Sequence, residues 1–585
     1  MDTCLSTAVG KSNSVAIRNR TAAPISRSHI CWLGILLMTL MLSVQAQTRP
    51  DAGSTLETLK PGPQSPPALL PPIGIPEAPK PPLTAPDVRV QVSAFHFTGN
   101  TVFPTSELFG LLAQFVGKEL DFAGLNQAAT IITAHYRSHG YLVAQAYLPE
   151  QSIRDGVVEI AVLEGRLGKV KVNQAPQSRL RPTVAEQAFS PLSSGTLIET
   201  RTLERRLLLL NDLSGVQAQA ALEPGRNVGE ADLIVDVTDA GPRIRGSLEA
   251  DNFGSRYTGE ARAGASLRVI SPLGLGDQLV LRGLTSTGGG LRYGVLGYDV
   301  PIGADGWRAG MSYSAIEYKL GKDFAALDAN GDAQIWSASL AYPLIRTRLS
   351  NLTLQLGYDD KRLTDRVDAF AALTDKKLDV FRLTANGNAS DAYGGGGYTA
   401  YNVTVSSGRL SFRNASAAMI DQAEHRTAGD YAKLNYSVAR LQQLGRFFSL
   451  YLSLNGQFAS KNLDSSEKFS LGGPFGVRAY PLGEAGGDEA HLGTIELRAN
   501  TGRVMAADSQ MFGFVDAGKV TFNANPLATD NPNRRTISGY GAGVSFVQSG
   551  GFWLRSTVAW RGSGGQPVAD VDHHPRFWLQ AGMQF

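Results

Sequence analysis

Apolar and polar residues alternate along most of the C-terminal part of the chain. In residues 449–455, every leucine has one parity, while serine, tyrosine and asparagine have the other. The same period of two recurs at 352–358, at 552–560 and in the aromatic-rich segment 577–585. This period predicts β-strands with one apolar and one polar face. From residue 241 onward we therefore expect an extended antiparallel β-structure.

Alternating segments of about 10 residues separated by turns are typical of a transmembrane β-barrel. The bilayer core offers no water to an open strand edge, so such a sheet must close on itself. At roughly 10 residues per strand and a comparable loop allowance, residues 241–585 would hold about 16 strands. A soluble β-sandwich or propeller is the alternative. The sustained alternation and the aromatic last strand favour the barrel.

A different pattern precedes the barrel. Residues 88–165 read as a strand at 90–97, two helices with apolar residues at i, i+3, i+4 and i+7 spacing, and two more strands. Leu108, Leu112 and Phe115 mark the first helix, and Leu125 and Ile132 mark the second. Residues 166–240 repeat this βααββ order. Two successive α/β units of one topology form an internal repeat.

The N-terminal region reads as a targeting segment followed by a spacer. An apolar run from Cys31 to Val44 follows several arginines and ends at Ala46. These features predict a secretory signal peptide at 1–46, whereas a membrane anchor is the alternative. Residues 47–87 form a Pro-rich linker, with 11 prolines between positions 61 and 86. Such a segment favours extended conformations and does not build a core.

Composition and motifs argue against an enzyme. The net charge of +3 gives no reason to expect nucleic-acid binding. The two cysteines, Cys4 and Cys31, lie in the predicted signal peptide, so the mature chain has no thiolate chemistry. His135 and His139 have i, i+4 spacing, but no third metal ligand accompanies them, and a surface pair is the simpler interpretation. With no Walker A or GxSxG motif, we expect no cofactor, nucleotide or metal.

The segment 471–480, LGGPFGVRAY, is a Gly/Pro-rich break between strands and carries one arginine, Arg478. A buried charge without a partner costs several kcal/mol. The segment 514–518, FVDAG, offers Asp516 as that partner. In residues 511–518, Met511 and Val515 share one face, and Phe514 and Asp516 share the other. A lipid-facing aspartate would be penalised, so we expect Asp516 to face the lumen.

The chain resembles the outer-membrane transporters of two-partner secretion, the hemolysin secretion/activation proteins of the Omp85 superfamily. The resemblance rests on YLVAQAYLPEQSI at 141–153 and GVVEI at 156–160, on SPLGLGD at 271–277, and on LGGPFGVRAY and FVDAG. It implies two periplasmic POTRA domains, at 88–165 and 166–240. It also implies a transmembrane barrel at 241–585 with a lumenal lid loop near 471–490.

The resemblance also implies a set of site residues. In the family the lid-loop arginine pairs with the aspartate of the second motif, so Arg478 should pair with Asp516. Glu496, in GTIELR, matches another strand pattern of the family and should join them. Ala479 stands where the family usually has glycine, and a positive φ there would be costly for alanine. The lid and pore residues expected from the resemblance are Val477, Arg478, Tyr480, Glu496, Phe514, Asp516 and Gly518.

The implied function is recognition of an unfolded, hemolysin- or adhesin-like partner in the periplasm and its secretion through the barrel. The partner would be β-helical, and the barrel would lie in outer-membrane lipid. The alternative within the superfamily is an outer-membrane protein assembly factor, which two POTRA domains disfavour. A lipase would need a nucleophile motif, and a passive porin would not need POTRA-like units. Whether a plug helix precedes the barrel stays open, because residues 47–60 are short and prolines soon follow.

Overall fold

The computed structural model describes residues 49–59, 89–548 and 550–585. The predicted signal peptide and most of the Pro-rich linker lie outside these residues. A short helix, α1 (Ala52–Glu57), comes first, and the Asp51 side chain caps it by accepting the N–H of Ser54. In the ranges just given, no helix has the length and apolarity needed to cross a membrane.

The first α/β unit has the predicted βααββ order with one addition. Its central strand β5 pairs in parallel with β2 and antiparallel with β4. The strand expected near 90–97 is split, because the Val92 N–H bonds to the Lys118 carbonyl, and β1 instead pairs with β3. The elements are β1 (Val90–Gln91), β2 (Ala94–Thr98), α2 (Thr105–Leu112), β3 (Glu119–Leu120), α3 (Phe122–Ser138), β4 (Gln145–Tyr147) and β5 (Val157–Leu163).

The second α/β unit repeats the topology, with β8 between β6 and β7. Leu203, Leu207 and Leu210 lie one turn apart on its long helix and face the core. The backbone N–H and the hydroxyl of Thr200 both donate to the Gly140 carbonyl, at 2.9 and 2.6 Å, which joins the two units. The elements are β6 (Arg166–Gln174), α4 (Pro182–Gln187), α5 (Thr200–Asn211), β7 (Val216–Pro224) and β8 (Glu230–Asp239).

Residues after 240 form a closed antiparallel barrel of 16 strands, as the alternation predicts. Hairpins join successive strands, and β26 closes the ring against β9. The barrel strands are β9 (Ile244–Asp251), β10 (Arg262–Ile270), β11 (Gln278–Ser286), β12 (Leu291–Ile302), β13 (Trp307–Lys319), β14 (Ala329–Arg346), β15 (Ser350–Val367), β16 (Ala372–Asp391), β17 (Gly397–Phe412), β18 (Gly429–Gln443), β19 (Phe448–Ala459), β22 (Glu489–Val504), β23 (Ala507–Thr521), β24 (Arg534–Gln548), β25 (Phe552–Arg561) and β26 (Arg576–Gln584).

Three further elements lie in the connections between barrel strands. Helix α6 (Ala415–Glu424) lies between β17 and β18. Two short strands, β20 (Phe469–Ser470) and β21 (Gly486–Gly487), pair with each other in the long connection from β19 to β22. This connection, residues 460–488, is called the lid loop below.

The two faces of the barrel strands differ as the parity of the sequence predicts. On β23, Met511 and Val515 are 57% and 55% exposed, whereas Phe514 is 4% exposed and Asp516 is fully buried. Leucines on other strands, such as Leu356, likewise project outward. The outside of the barrel is therefore an apolar surface suited to lipid, and the inside carries the polar side chains.

The second α/β unit packs against one end of the barrel. Arg206 forms an ion pair with Asp305 in the turn between β12 and β13, at 2.9 Å. Asp212 forms a two-pronged ion pair with Arg346, with both N–O distances at 2.7 Å. These contacts fix which end of the barrel faces the α/β units.

Candidate functional site

The lid loop turns back into the barrel lumen instead of projecting outward. Its base is the β20–β21 pair, above which the Leu471 N–H donates to the Ala485 carbonyl. The Val477 N–H donates to the Leu471 carbonyl at 2.7 Å, so the chain makes a tight turn at the tip of the lid loop. Gly473 adopts a φ of +112°, a conformation that glycine permits and other residues rarely adopt.

Arg478 at the tip binds Asp516 on β23 through three hydrogen bonds. The guanidinium Nε and Nη2 donate to the two carboxylate oxygens, each at 2.9 Å, and the Arg478 backbone N–H donates at 3.1 Å. The Thr494 hydroxyl donates to the same carboxylate at 2.9 Å. A bidentate arginine–carboxylate pair is among the strongest polar contacts in proteins, so the tip is firmly held.

Glu496 on β22 extends this pair into a network. Its carboxylate accepts Arg478 Nη1 at 2.6 Å and Arg498 Nε at 2.8 Å, and Arg555 Nη2 lies 3.3 Å away. The Arg478 guanidinium also lies over the Phe514 ring, with its carbon 3.3 Å from the ring centroid. Three arginines thus share two carboxylates, and each buried charge has a partner.

The remaining predicted site residues shape the surface around the tip. Val477 and Tyr480 are fully buried, and the Tyr480 hydroxyl donates to the Gly565 carbonyl at 2.9 Å. At Gly518, an added Cβ would lie 2.7 Å from a Leu471 methyl carbon, so glycine makes room for Leu471. The structure therefore gathers all seven predicted residues around one loop tip.

The backbone of Ala479 does not adopt the positive φ that a glycine at this position of the family pattern would permit. Its side chain is 1% exposed and lies against Gly539 of β24. A Cβ added at Gly539 would lie 2.5 Å from the Ala479 Cβ. The methyl group at 479 thus occupies space that a missing side chain at 539 leaves open.

Several residues of the site were not anticipated from the sequence. The Trp578 indole N–H on β26 donates to the Arg478 carbonyl at 2.7 Å. Glu484 of the lid loop is fully buried and forms an ion pair with Arg535. Strand parity could have indicated Arg555 and Trp578 as inward-facing residues, but parity gives no distance along the lumen.

A second set of contacts holds the lid loop near its start, at the short 3-10 turn Ser465–Glu467, which we call the inner turn. Lys433 Nζ lies 2.6 Å from the Glu467 carboxylate, and Lys361 contacts the other oxygen of the same group. Lys376 Nζ lies 2.8 Å from Asp464. These lysines project from β15, β16 and β18, so the lid loop contacts two parts of the lumen wall.

Helix α1 lies inside the barrel against the inner turn. The Ala52 N–H donates to Asp365 of β15 at 2.8 Å, and Ala52 is fully buried. The Ser465 hydroxyl donates to the Asp51 carboxylate. The question that the sequence left open therefore has an answer: a short helix does occupy the lumen.

The two histidines, His135 and His139, lie beside each other and next to an acidic side chain. His135 Nε2 lies 3.0 Å from a carboxylate oxygen of Glu107, and its ring is 4.4 Å from that of His139. Within 49–59, 89–548 and 550–585, no cluster of three metal-ligating side chains is found.

Known protein families and individual proteins resemble this chain in sequence. The sequence matches the family described as haemolysin secretion/activation protein ShlB/FhaC/HecB over residues 229–577, and the ShlB-type POTRA domain over residues 90–165. This chain belongs to the haemolysin secretion/activation family. The heme/hemopexin transporter protein HuxB of Haemophilus influenzae strain 86-028NP is 30% identical over 556 residues, which cover 92% of this chain and 96% of HuxB.

Other relatives agree with this assignment. The outer membrane transporter CdiB of Dickeya dadantii is 24% identical over 396 residues, covering 66% of this chain and 68% of that protein. The solved structure of CdiB from Escherichia coli is 20% identical, has a TM-score of 0.69, and covers 97% of this chain and 100% of that one. The solved structure shows the same fold.

Haemolysin secretion/activation proteins are two-partner secretion transporters of the Omp85 superfamily, and this one lies in the outer membrane. The two POTRA domains face the periplasm. The barrel turns that contact the second POTRA domain are therefore periplasmic, and the lid loop enters the lumen from the extracellular end. Family membership supports secretion over the assembly-factor alternative.

A buried carboxylate, that of Glu164, lies at the C-terminal end of the first POTRA domain. Glu164 accepts the backbone N–H groups of Thr101 and Val102, the latter at 2.8 Å, and the Tyr136 hydroxyl at 3.0 Å. Burial alone would raise the pKa of Glu164, but these hydrogen bonds hold the pKa below its usual value. Burial and the neighbouring carboxylate raise the pKa of Tyr136.

Proposed function

We propose that this protein exports one large, β-helical exoprotein, and that the structure is its closed resting state. The observation that carries the proposal is that the lumen holds both α1, through a hydrogen bond to Asp365, and the lid loop, through buried ion pairs. A polypeptide could pass only after these elements move. Since the periplasm supplies no nucleotide, folding of the partner outside would give the transport its direction.

The POTRA domains would receive the unfolded partner. An extended chain can add to a strand edge or lie in a groove between a helix and a strand. The Thr133 hydroxyl accepts the Ala146 N–H at 2.9 Å in the middle of β4. Asn211 bonds both the N–H and the carbonyl of Ala218 on β7, each at 2.9 Å. These bonds leave less free backbone on β4 and β7 for an added strand.

The lid tip would control the pore through Arg478 and its two carboxylates. Replacement by alanine leaves Asp516 and Glu496 buried near the remaining arginines without the central guanidinium. We expect Arg478→Ala to insert normally but to secrete less than a tenth of the partner. Arg478→Lys keeps the charge without the two-pronged geometry and should give an intermediate level. Normal secretion by an inserted Arg478→Ala protein would refute the lid role.

The direct test pairs the transporter with its cargo. A large exoprotein, sought among the products of the neighbouring genes, is co-expressed, and its amount in the medium is measured with and without the transporter. We expect export to require the transporter, while the level of unrelated outer-membrane barrels stays unchanged. Loss of those barrels, rather than of the exoprotein, would favour the assembly-factor function. A lipid-hydrolysis assay on the purified protein tests the absence of enzymatic activity independently.

A further inference from the structure

The lid loop and α1 meet at one point in the lumen with no space between them. A Cβ added at Gly53 would lie 2.3 Å from the Ser465 hydroxyl oxygen and 2.4 Å from the Ser466 backbone nitrogen. Backbone atoms cannot move aside as a flexible side chain can. The helix therefore packs directly on the inner turn, and glycine at position 53 is required for that packing.

Lys376 lies between the helix and the inner turn and contacts both. Its ammonium nitrogen is 2.8 Å from Asp464 of the lid loop, 3.6 Å from Asp51 of the helix cap and 3.7 Å from Asp365 of the wall. The lysine side chain is 5% exposed. One cation thus offsets three carboxylates, and without it Asp51 and Asp464 would repel each other in a site with little water.

Other wall lysines hold the inner turn. A second wall lysine, Lys361, forms an ion pair with Glu467 of the inner turn, as Lys433 does. Among these contacts, those of Lys376 reach an acid of the helix cap, Asp51, as well as an acid of the lid loop, Asp464. Lys376 thereby links the attachment of the helix to that of the inner turn.

We propose that Lys376 is a positioning residue that binds α1 and the inner turn as one unit, so that release of either element loosens the other. When the helix leaves, Gly53 no longer supports Ser465 and Ser466, and Asp51 no longer accepts the Ser465 hydroxyl. When the inner turn leaves, the helix loses the same contacts. Arg478 at the lid tip contacts side chains of β22 and β23, and this contact lies outside the unit.

The test uses two cysteine reporters, one on each element. Thr55 is 6% exposed and lies on the helix, and Ser466 is 2% exposed and lies on the inner turn. Thr55→Cys and Ser466→Cys are close in size to the native residues. Each is made separately in a full-length chain whose native cysteines, Cys4 and Cys31, are replaced by serine. A water-soluble maleimide reports exposure of the thiol in proteoliposomes.

Each element is then disturbed while the reporter on the other is measured. Gly53→Ala removes the helix from the inner turn and should raise labelling at Ser466→Cys at least tenfold. Alanine is the better helix former, so this result would not come from melting of the helix. Glu467→Gln loosens the inner turn and should raise labelling at Thr55→Cys by a similar factor. Lys376→Gln should raise labelling at both positions.

Lys377→Gln is the matched control. Lys377 follows Lys376 on the same strand but points to the other face, where it pairs with Asp360 and Asp379. It should leave both labelling rates unchanged. Heat-dependent gel mobility verifies that each barrel is folded. Gly53 lies in α1 and not in a barrel strand, so Gly53→Ala can still be measured if a variant in the barrel wall fails to fold. An unchanged labelling rate at Ser466→Cys in the Gly53→Ala protein, or at Thr55→Cys in the Glu467→Gln protein, would overturn the proposal. Labelling needs no cargo, so this outcome is distinct from a failure of export.

Discussion

At the scale of single residues, the position of Asp516 follows from parity and the cost of burying a charge. An aspartate on the lipid face of β23 is penalised, so its face could be assigned from eight residues of sequence. The partnership with Arg478 required the family resemblance, because parity gives no information about a loop. Lys376 and Glu467 could not be found in this way. Their contacts join residues far apart in the sequence, and the inner turn has no period.

The fit between Gly518 and Leu471 gives a prediction at this scale. Gly518→Ala places a methyl group 2.7 Å from a Leu471 carbon and 3.2 Å from the His491 carbonyl. We expect the lid tip to lose about 1–3 kcal/mol of stabilisation, the usual cost of overpacking. Extracellular protease should then cleave the lid loop faster. Gly513→Ala, on the outer face of the same strand, meets only a carbonyl at 3.9 Å and should behave as the unmodified protein.

At the scale of elements, regular patterns were predicted better than their interruptions. The two βααββ units and the barrel follow from periods of 3.6 and 2, which long segments repeat. The break between β1 and β2 was missed because it depends on a hydrogen bond between Val92 and Lys118. Helix α1 was left open because six residues make too little pattern, and its stability comes from its surroundings in the lumen.

The first POTRA domain provides the prediction for this scale. Because the folded-state pKa of Glu164 is lowered, its carboxylate stabilises the fold above the unfolded pKa, near 4.5, and this contribution is lost as pH falls through the folded pKa. Glu164→Gln should cost about 1–3 kcal/mol at pH 7. Amide hydrogen exchange at Thr101 and Val102 in the full chain measures this cost. The difference from the unmodified protein should shrink in acid, and a constant difference down to pH 3 would contradict the assignment.

At the scale of the whole molecule, the barrel closes between the two neighbouring strands that share the fewest residue pairs. Strands β26 and β9 share five residue pairs, from Gln580–Asp251 to Gln584–Ser247, whereas β15 and β16 pair over their full length. The lid tip contacts this region, since Phe475 packs on Phe253 and the Trp578 indole reaches the Arg478 carbonyl. The number of strands followed from chain length, but this contact between the lid and the closing strands could not be read from any local pattern.

The distribution of charge between the lid loop and the wall has a consequence for ion flow. At the inner turn the lid loop carries the acids Asp464 and Glu467, and the wall carries the bases Lys361, Lys376 and Lys433 together with the acid Asp365. Removing the two lid-loop acids leaves three lysines beside Asp365, so this side of the lumen carries a net positive charge and attracts anions. An open pore should therefore prefer chloride to potassium. In planar bilayers under a salt gradient, the reversal potential of a Gly53→Ala pore should show this preference, and Lys361→Gln in the same background should reduce it.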